Sequence, residues 1–359
     1  MPEYLFVNAS WRLKEVQEHK LILFFLIVLN RCETLKTYQT PLTADCVEFC
    51  PIGEYTDFFV CGNYQLENGE KSERIGKLSL HNVSMASLDP ICSVDSDAIL
   101  DIKFMKSLEK PILASVESSG YFRLWAVSGL EIKYIASKQL CYDILLSCDF
   151  YDLQSAVSTS SGALVLLDVS TESLAVKSSW TPHDHEAWIV AFDRKDRNIL
   201  YSGSDDCCLR MYDTRLSLGK GTLLGKKGDM GITSIQSHPF EDYLLASGSY
   251  DETVKLWDTR STRSPIEEVC AGGGAWRLKW EPKYGKHLLA AAMHNGFHIF
   301  SSQLKKLNLA GSYMKHSSLA YGCDWFRGGF FRGENKFLVA SCSMYDKALH
   351  TWSFSESVC

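Results

Sequence analysis

YSGSDDCCLRMYDTR occupies residues 201–215, and ASGSYDETVKLWDTR occupies residues 246–260, 45 positions further on. Ser, Gly, Ser, Asp and the closing Asp-Thr-Arg fall in the same columns, so the chain carries an internal repeat. A period of about 40–45 residues, with a small-residue strand, an Asp turn and an aromatic-Asp ending, is the signature of β-propeller blades. The physical pattern agrees with that reading. Leu244 to Ser249 is an apolar run entering a tight turn in which Asp251 can accept backbone N–H groups. Val254 and Leu256 then alternate with polar residues, as a strand packed between neighbouring sheets requires. Trp257 supplies a large buried area, and its indole N–H needs an acceptor once buried.

Weaker copies appear on both sides. ILASVESSGYFRLWAV (112–127) has Trp125 in the Trp column and Ser119 in the Asp column, while AVSTSSGALVLLDV (156–169) keeps the alternation and Asp168. LLAAAMHNGFHIF (288–300) puts His294 in the Asp column and Phe300 in the Trp column, and LVASCSMYDKALHTWSF (338–354) restores Asp346 and Trp352. Each copy follows an apolar segment that predicts an innermost strand: AILDIKF, ILLSCDF, WIVAFDR, ITSIQSHP, AWRLKWEP and YGCDWF. With DCVEFCP (45–51) and FFVCGNYQL (58–66) the count reaches seven units. Seven blades of about 44 residues fill the chain from about residue 33 to its end. The fold expected is therefore all-β, a seven-bladed propeller of residues 32–359. The repeats resemble WD repeats, in which a strand Ser links the Trp to a His and the turn Asp. Ser247 and Asp251 match that motif, as do Ser202, Asp206 and His183, although Tyr212 replaces the Trp and Gly228 falls near one expected His.

The ring must also close. The last copy stops soon after Trp352 and lacks an outer strand, while Glu33 to Leu42 precedes the first inner strand with nothing else to pair. The N-terminal segment is expected to supply the missing strand, which removes an exposed sheet edge.

Composition points to one body in a reducing compartment, and a cytoplasmic location is expected. The 13 Cys residues are odd in number and lack framework or zinc spacing. The net charge of −6 gives no general reason to bind nucleic acid. Residues 1–31 form a non-conforming N-terminal extension. Its apolar run, Leu21 to Leu29, is too short for a bilayer, which needs about 20 residues, so no membrane partner is expected.

Catalytic motifs are largely absent. The chain has no nucleophile elbow, P-loop, dinucleotide fingerprint or zinc-protease helix, and nothing asks for a metal or another cofactor. The densest polar cluster is His183-Asp184-His185-Glu186, just before Trp188. A His beside carboxylates can act as a general base, although the ordinary reading of His183 is the structural His of its blade. His294 stands out because it occupies an Asp column, and Asp324 lies near the end of an inner strand where it can face the channel. Trp188 and Trp276 precede inner strands, as blade-packing residues or as ligand contacts at the channel mouth.

The non-generic words of the chain are LTADCVEFCP (42–51), CGNYQL (61–66), HEAWIVAF (185–192), MGITSIQSHP (230–239), GSYDETVKLWDTR (248–260), GGGAWRLKW (272–280), AAMHNGFHIF (291–300), YGCDWF (321–326) and SMYDKALHTW (343–352). Over about residues 33–359 these resemble the WD-repeat diphthine methyl ester hydrolases of diphthamide biosynthesis. The resemblance implies a hydrolase whose partner is elongation factor 2 carrying methylated diphthine, with other diphthamide enzymes as further partners. Its substrate would be a modified histidine bearing a trimethylammonium group and a methyl ester. Such a site needs a cradle for a quaternary cation, for which Trp188, Trp276, Glu186 and Asp324 are candidates. It also needs a base, His183 or His294, and an oxyanion donor, Arg277 or backbone amides. The competing expectation is a non-catalytic scaffold that presents the factor to other enzymes.

Overall fold

The computed structural model describes residues 31–67, 73–106, 110–329 and 336–356. The apolar run and most of the expected N-terminal extension lie outside the described residues. Seven four-stranded antiparallel sheets form the blades. Their innermost strands are Ala44–Phe49, Ile99–Phe104, Leu145–Tyr151, Ile189–Phe192, Ile232–Ser237, Arg277–Trp280 and Ala320–Trp325. Each innermost strand lies against those of the two adjacent blades, and the last lies against the first, so the ring is complete around a central channel.

The ring is closed by pairing between the two ends of the described chain. Strand Cys32–Gln39 pairs antiparallel with Ala348–Ser355, with Thr34 opposite Trp352 and Tyr38 opposite Leu349. The first residues of the propeller thereby finish the last blade.

Within blades, the expected polar relay holds the large aromatics. Trp257 Nε1 donates to Ser247 Oγ at 2.8 Å, Trp125 to Ser115 at 2.9 Å and Trp352 to Ser341 at 2.9 Å. In the blade where Tyr212 replaces Trp, its hydroxyl lies 2.9 Å from Ser202 Oγ, so a phenol satisfies the same serine. His316, which the motif comparison overlooked, completes the relay of the last blade between Ser341 and Ser343. Between blades, buried inner-strand side chains accept a backbone N–H from the next blade. Asp324 accepts from Phe49 at 2.8 Å, Asp149 from Phe192 at 2.9 Å and Ser234 from Leu278 at 2.9 Å. These bonds fix the angle at which adjacent blades meet and leave few buried polar groups unpaired.

Candidate functional site

Aligning the inner strands on Phe49, Phe104, Phe150, Phe192, Ser237, Trp280 and Trp325 places one residue per blade four positions earlier: Asp45, Leu100, Leu146, Trp188, Thr233, Trp276 and Tyr321. This column lies at the channel mouth beside the Asp turns. In five of the blades the strand register shifts at or next to it, between Ala44 and Cys46, Ile99 and Asp101, Leu145 and Ser147, Ile232 and Ser234, and Ala320 and Cys323. A β-bulge re-aims a side chain that strict alternation would send elsewhere. The other two members, Trp188 and Trp276, sit immediately before their strands begin.

Three of these residues and one turn residue form a contiguous aromatic cluster, the candidate cage. Trp276 has its ring centroid 5.5 Å from Trp188, 5.8 Å from Tyr250 and 4.6 Å from Tyr321, and Trp188 is 6.3 Å from Tyr250. Tyr250 comes from the turn after strand Leu244–Ser249, where its N–H donates to Gly231 O. Carboxylates lie at the rim. Trp188 Nε1 donates to Asp205 Oδ1 at 3.0 Å, and burial followed by the charges of Asp205 and Glu186 pushes the Tyr250 phenol up. The two mouth tryptophans differ from the blade tryptophans in their partners. Trp188 Nε1 donates to a carboxylate, while Trp276 Nε1 is buried with no acceptor among the described residues, as is Nε1 of the outer-strand Trp180.

Beside the cage, three charged groups share the wall of the channel. Arg277 Nη1 lies 3.4 Å from Asp101 Oδ1, and Lys103 Nζ donates to the same Asp101 carboxylate at 2.9 Å. Burial pushes Asp101 up, but Lys103 and Arg277 outweigh it and the carboxyl ends at about 2. Asp45 has no such set of partners. Burial raises it, Arg277 offsets only part of that rise, and ionised Asp101 adds to it, leaving the Asp45 carboxyl at about 8. Burial and then Asp45 also push the Tyr321 phenol up, which ties the carboxyl to the cage. The mouth therefore combines π-faces and rim carboxylates suited to a quaternary cation, a carboxyl that exchanges its proton near neutral pH, and a guanidinium able to donate to an oxyanion.

Of the residues expected from sequence, Trp188, Trp276, Glu186 and Arg277 come together at this mouth. The other three lie elsewhere. His183 is buried in its blade relay, with Nδ1 2.9 Å from Asp206 Oδ2 and Nε2 2.6 Å from Ser202 Oγ, so both ring nitrogens are engaged. His294 is exposed and lines a separate shallow pocket with Met314, His316 and Tyr345. Asp324 is fully buried toward the opposite end of the channel, held by Phe49 N–H and by Arg327 at 3.0 Å. Asp45, Tyr250, Tyr321 and Asp205 were missed, although the first three stand inside distinctive words of the sequence. Stacking the seven inner strands in one column would have put Asp45 and Tyr321 beside the two tryptophans.

Comparison with known proteins adds a family. The family model described as WD domain, G-beta repeat, matches residues 176–213 and 220–258. The chain is 38% identical over 330 residues to a Mus musculus protein named diphthine methyltransferase, covering 81% of this chain and 69% of that protein. It is 34% identical to a Dictyostelium discoideum protein named diphthine methyltransferase homolog, covering 86% of this chain and 96% of the relative. A chain from a solved mitotic checkpoint complex matches with a TM-score of 0.72 over 90% of this chain and 95% of that one. At 15% identity that match establishes the propeller fold alone.

Proposed function

This chain belongs to the diphthine methyltransferase family, and on that premise we propose that it acts in diphthamide biosynthesis as a carboxylic-ester hydrolase, removing the ester methyl from methylated diphthine on elongation factor 2. The relatives' names describe methyl transfer on diphthine; ester hydrolysis is the finer step, implied by the sequence resemblance and supported by the chemistry of the site.

The observation that carries the reading is the cage of Trp188, Tyr250, Trp276 and Tyr321 beside Asp45 and Arg277. The cage takes the trimethylammonium group, with Asp205 and Glu186 adding negative potential at the rim. Ionised Asp45 removes a proton from water, whose oxygen attacks the ester carbonyl carbon. The carbonyl oxygen becomes an oxyanion and receives a hydrogen bond from Arg277. Collapse of the tetrahedral intermediate breaks the bond between the acyl carbon and the methoxy oxygen. Protonated Asp45 returns its proton to that oxygen, methanol leaves, and the acid product releases its remaining proton to solvent to become the carboxylate. Trp188, Tyr250 and Tyr321 are half-buried and present ring surface to a ligand, whereas the blade relay of His183 is buried.

The test incubates the purified chain with elongation factor 2 bearing the methylated intermediate, without a methyl donor, and follows the mass of the modified peptide. Repeated loss of one methylene's mass per enzyme molecule supports the hydrolase. An unchanged mass with a folded protein that still binds the factor returns the scaffold reading, and a gain that requires an added methyl donor returns methyl transfer.

A further inference from the structure

The end of the channel away from the cage holds a cavity of about 320 Å³. Inner-strand residues Glu48, Lys103, Asp149 and Lys279 face it, and Lys106, Arg194 and Arg327 join them from the segments that follow those strands. The charges resolve into pairs. Lys103 holds Asp101 at 2.9 Å, Arg194 holds Asp149 at 2.9 Å, Arg327 holds Asp324 at 3.0 Å, and Lys279 holds Glu48. Lys106 is left over, with no hydrogen bond or ion pair among the described residues. Asp152, the remaining carboxylate of the lining, sits exposed at the rim and forms no ion pair with it among the described residues.

Two further facts describe the potential inside this mouth. Lys106 is exposed at this mouth, and desolvation, followed by the charges of Arg194 and Arg327, depresses its ammonium to about 7 against the opposing charges of Glu48 and Asp149. Arg327 Nε is buried without an acceptor among the described residues. Arg194 and Arg327 disfavour the Lys106 ammonium while Glu48 and Asp149 favour it, and an anion that bonds to Lys106 and to the free Arg327 Nε gains charge-assisted bonds without breaking an existing pair.

We propose that this mouth is a binding site for a small oxyanion of the phosphate class, free or as the terminal group of a phosphate monoester, with Lys106 as the group that closes on it. The site is spatially distinct from the cage, with the Lys103–Asp101 pair lying between the two ends of the channel. Its occupation ties three blades together at the channel, because Lys106, Arg194 and Arg327 follow the inner strands of different blades.

The experiment uses the full chain and reads the rate at which an amine-acylating reagent modifies Lys106 at about pH 7.5, by peptide mass spectrometry, with the remaining lysines as internal reference. Inorganic phosphate is the probe, sodium chloride at matched ionic strength the control, and adenosine monophosphate the second arm. Binding returns Lys106 toward ordinary lysine behaviour, so phosphate is expected to slow its acylation roughly tenfold or more and to raise Tm. In Lys106→Met the phosphate-dependent rise in Tm should disappear, while ester turnover stays unchanged. Protection by adenosine monophosphate at lower concentration than phosphate identifies the monoester as the preferred form. Equal rates in phosphate and chloride overturn the proposal, and so does a Tm rise that persists in Lys106→Met.

Discussion

Replacing Asp45 by Asn is expected to abolish turnover and at the same time to make the folded chain more stable at alkaline pH. In the unfolded chain this carboxyl titrates near 3.8, and in the fold it is held at about 8 by burial and by Asp101, against the opposing charge of Arg277. Between those values the folded state keeps a proton that the unfolded chain has released. Stability from this group is therefore full at acid pH and is lost as pH rises toward the folded value, at about 1.4 kcal/mol per pH unit for one proton. From about pH 6 to pH 8 the loss sums to about 2 kcal/mol, tapering as the native carboxyl itself ionises. Asn has nearly the same shape and no proton to lose, so Asp45→Asn should remove that slope. Catalysis moves the other way. With about a tenth of Asp45 ionised at pH 7 and half at pH 8, kcat/KM of the native enzyme should rise about fivefold across that unit. Denaturant unfolding at a series of pH values, paired with the ester assay, measures both. The reasoning fails if Asp45→Asn keeps the native pH slope of stability, or if it retains a substantial share of the native activity.

Trp188→Leu keeps a side chain at a half-buried position and removes one cation–π face, worth about 1–2 kcal/mol. KM should rise roughly 5–30-fold with kcat little changed, and inhibition by tetramethylammonium should weaken in parallel; an unaltered KM would remove the cage from substrate binding. Arg277→Lys keeps the charge facing Asp101 but loses the guanidinium fork, so kcat should fall about a hundredfold, and a rate near native would assign the oxyanion to other donors. His183→Ala leaves Ser202 and Asp206 buried without their partner, which should cost about 1–3 kcal/mol in chemical denaturation. Its folded fraction should turn over the ester at the native rate, and a selective loss of kcat would restore His183 to the chemistry.

The repeat in residues 201–215 and 246–260 was enough to read the architecture, because strand alternation, Asp turns and the Trp column are all local in sequence. Closure by the segment before Asp45 was also expected from sequence, and strand Cys32–Gln39 does pair with Ala348–Ser355. Half of the candidate site was legible for a weaker reason. Trp188, Trp276, Glu186 and Arg277 were noticed as unusual residues next to inner strands, and His183, His294 and Asp324 were noticed on equal terms, because periodicity does not state which end of the channel a side chain reaches. Those ambiguities are settled by register and by ring geometry. A bulge of one residue turns Asp45 and Tyr321 into the mouth, burial against the partial offset of a single guanidinium lifts the Asp45 carboxyl, and the curvature of the ring brings residues 188, 250, 276 and 321 from four blades within ring contact. Sequence determined the blades because each is built from neighbours along the chain. Only the tertiary structure decided the site, because its parts are neighbours only once the ring has closed.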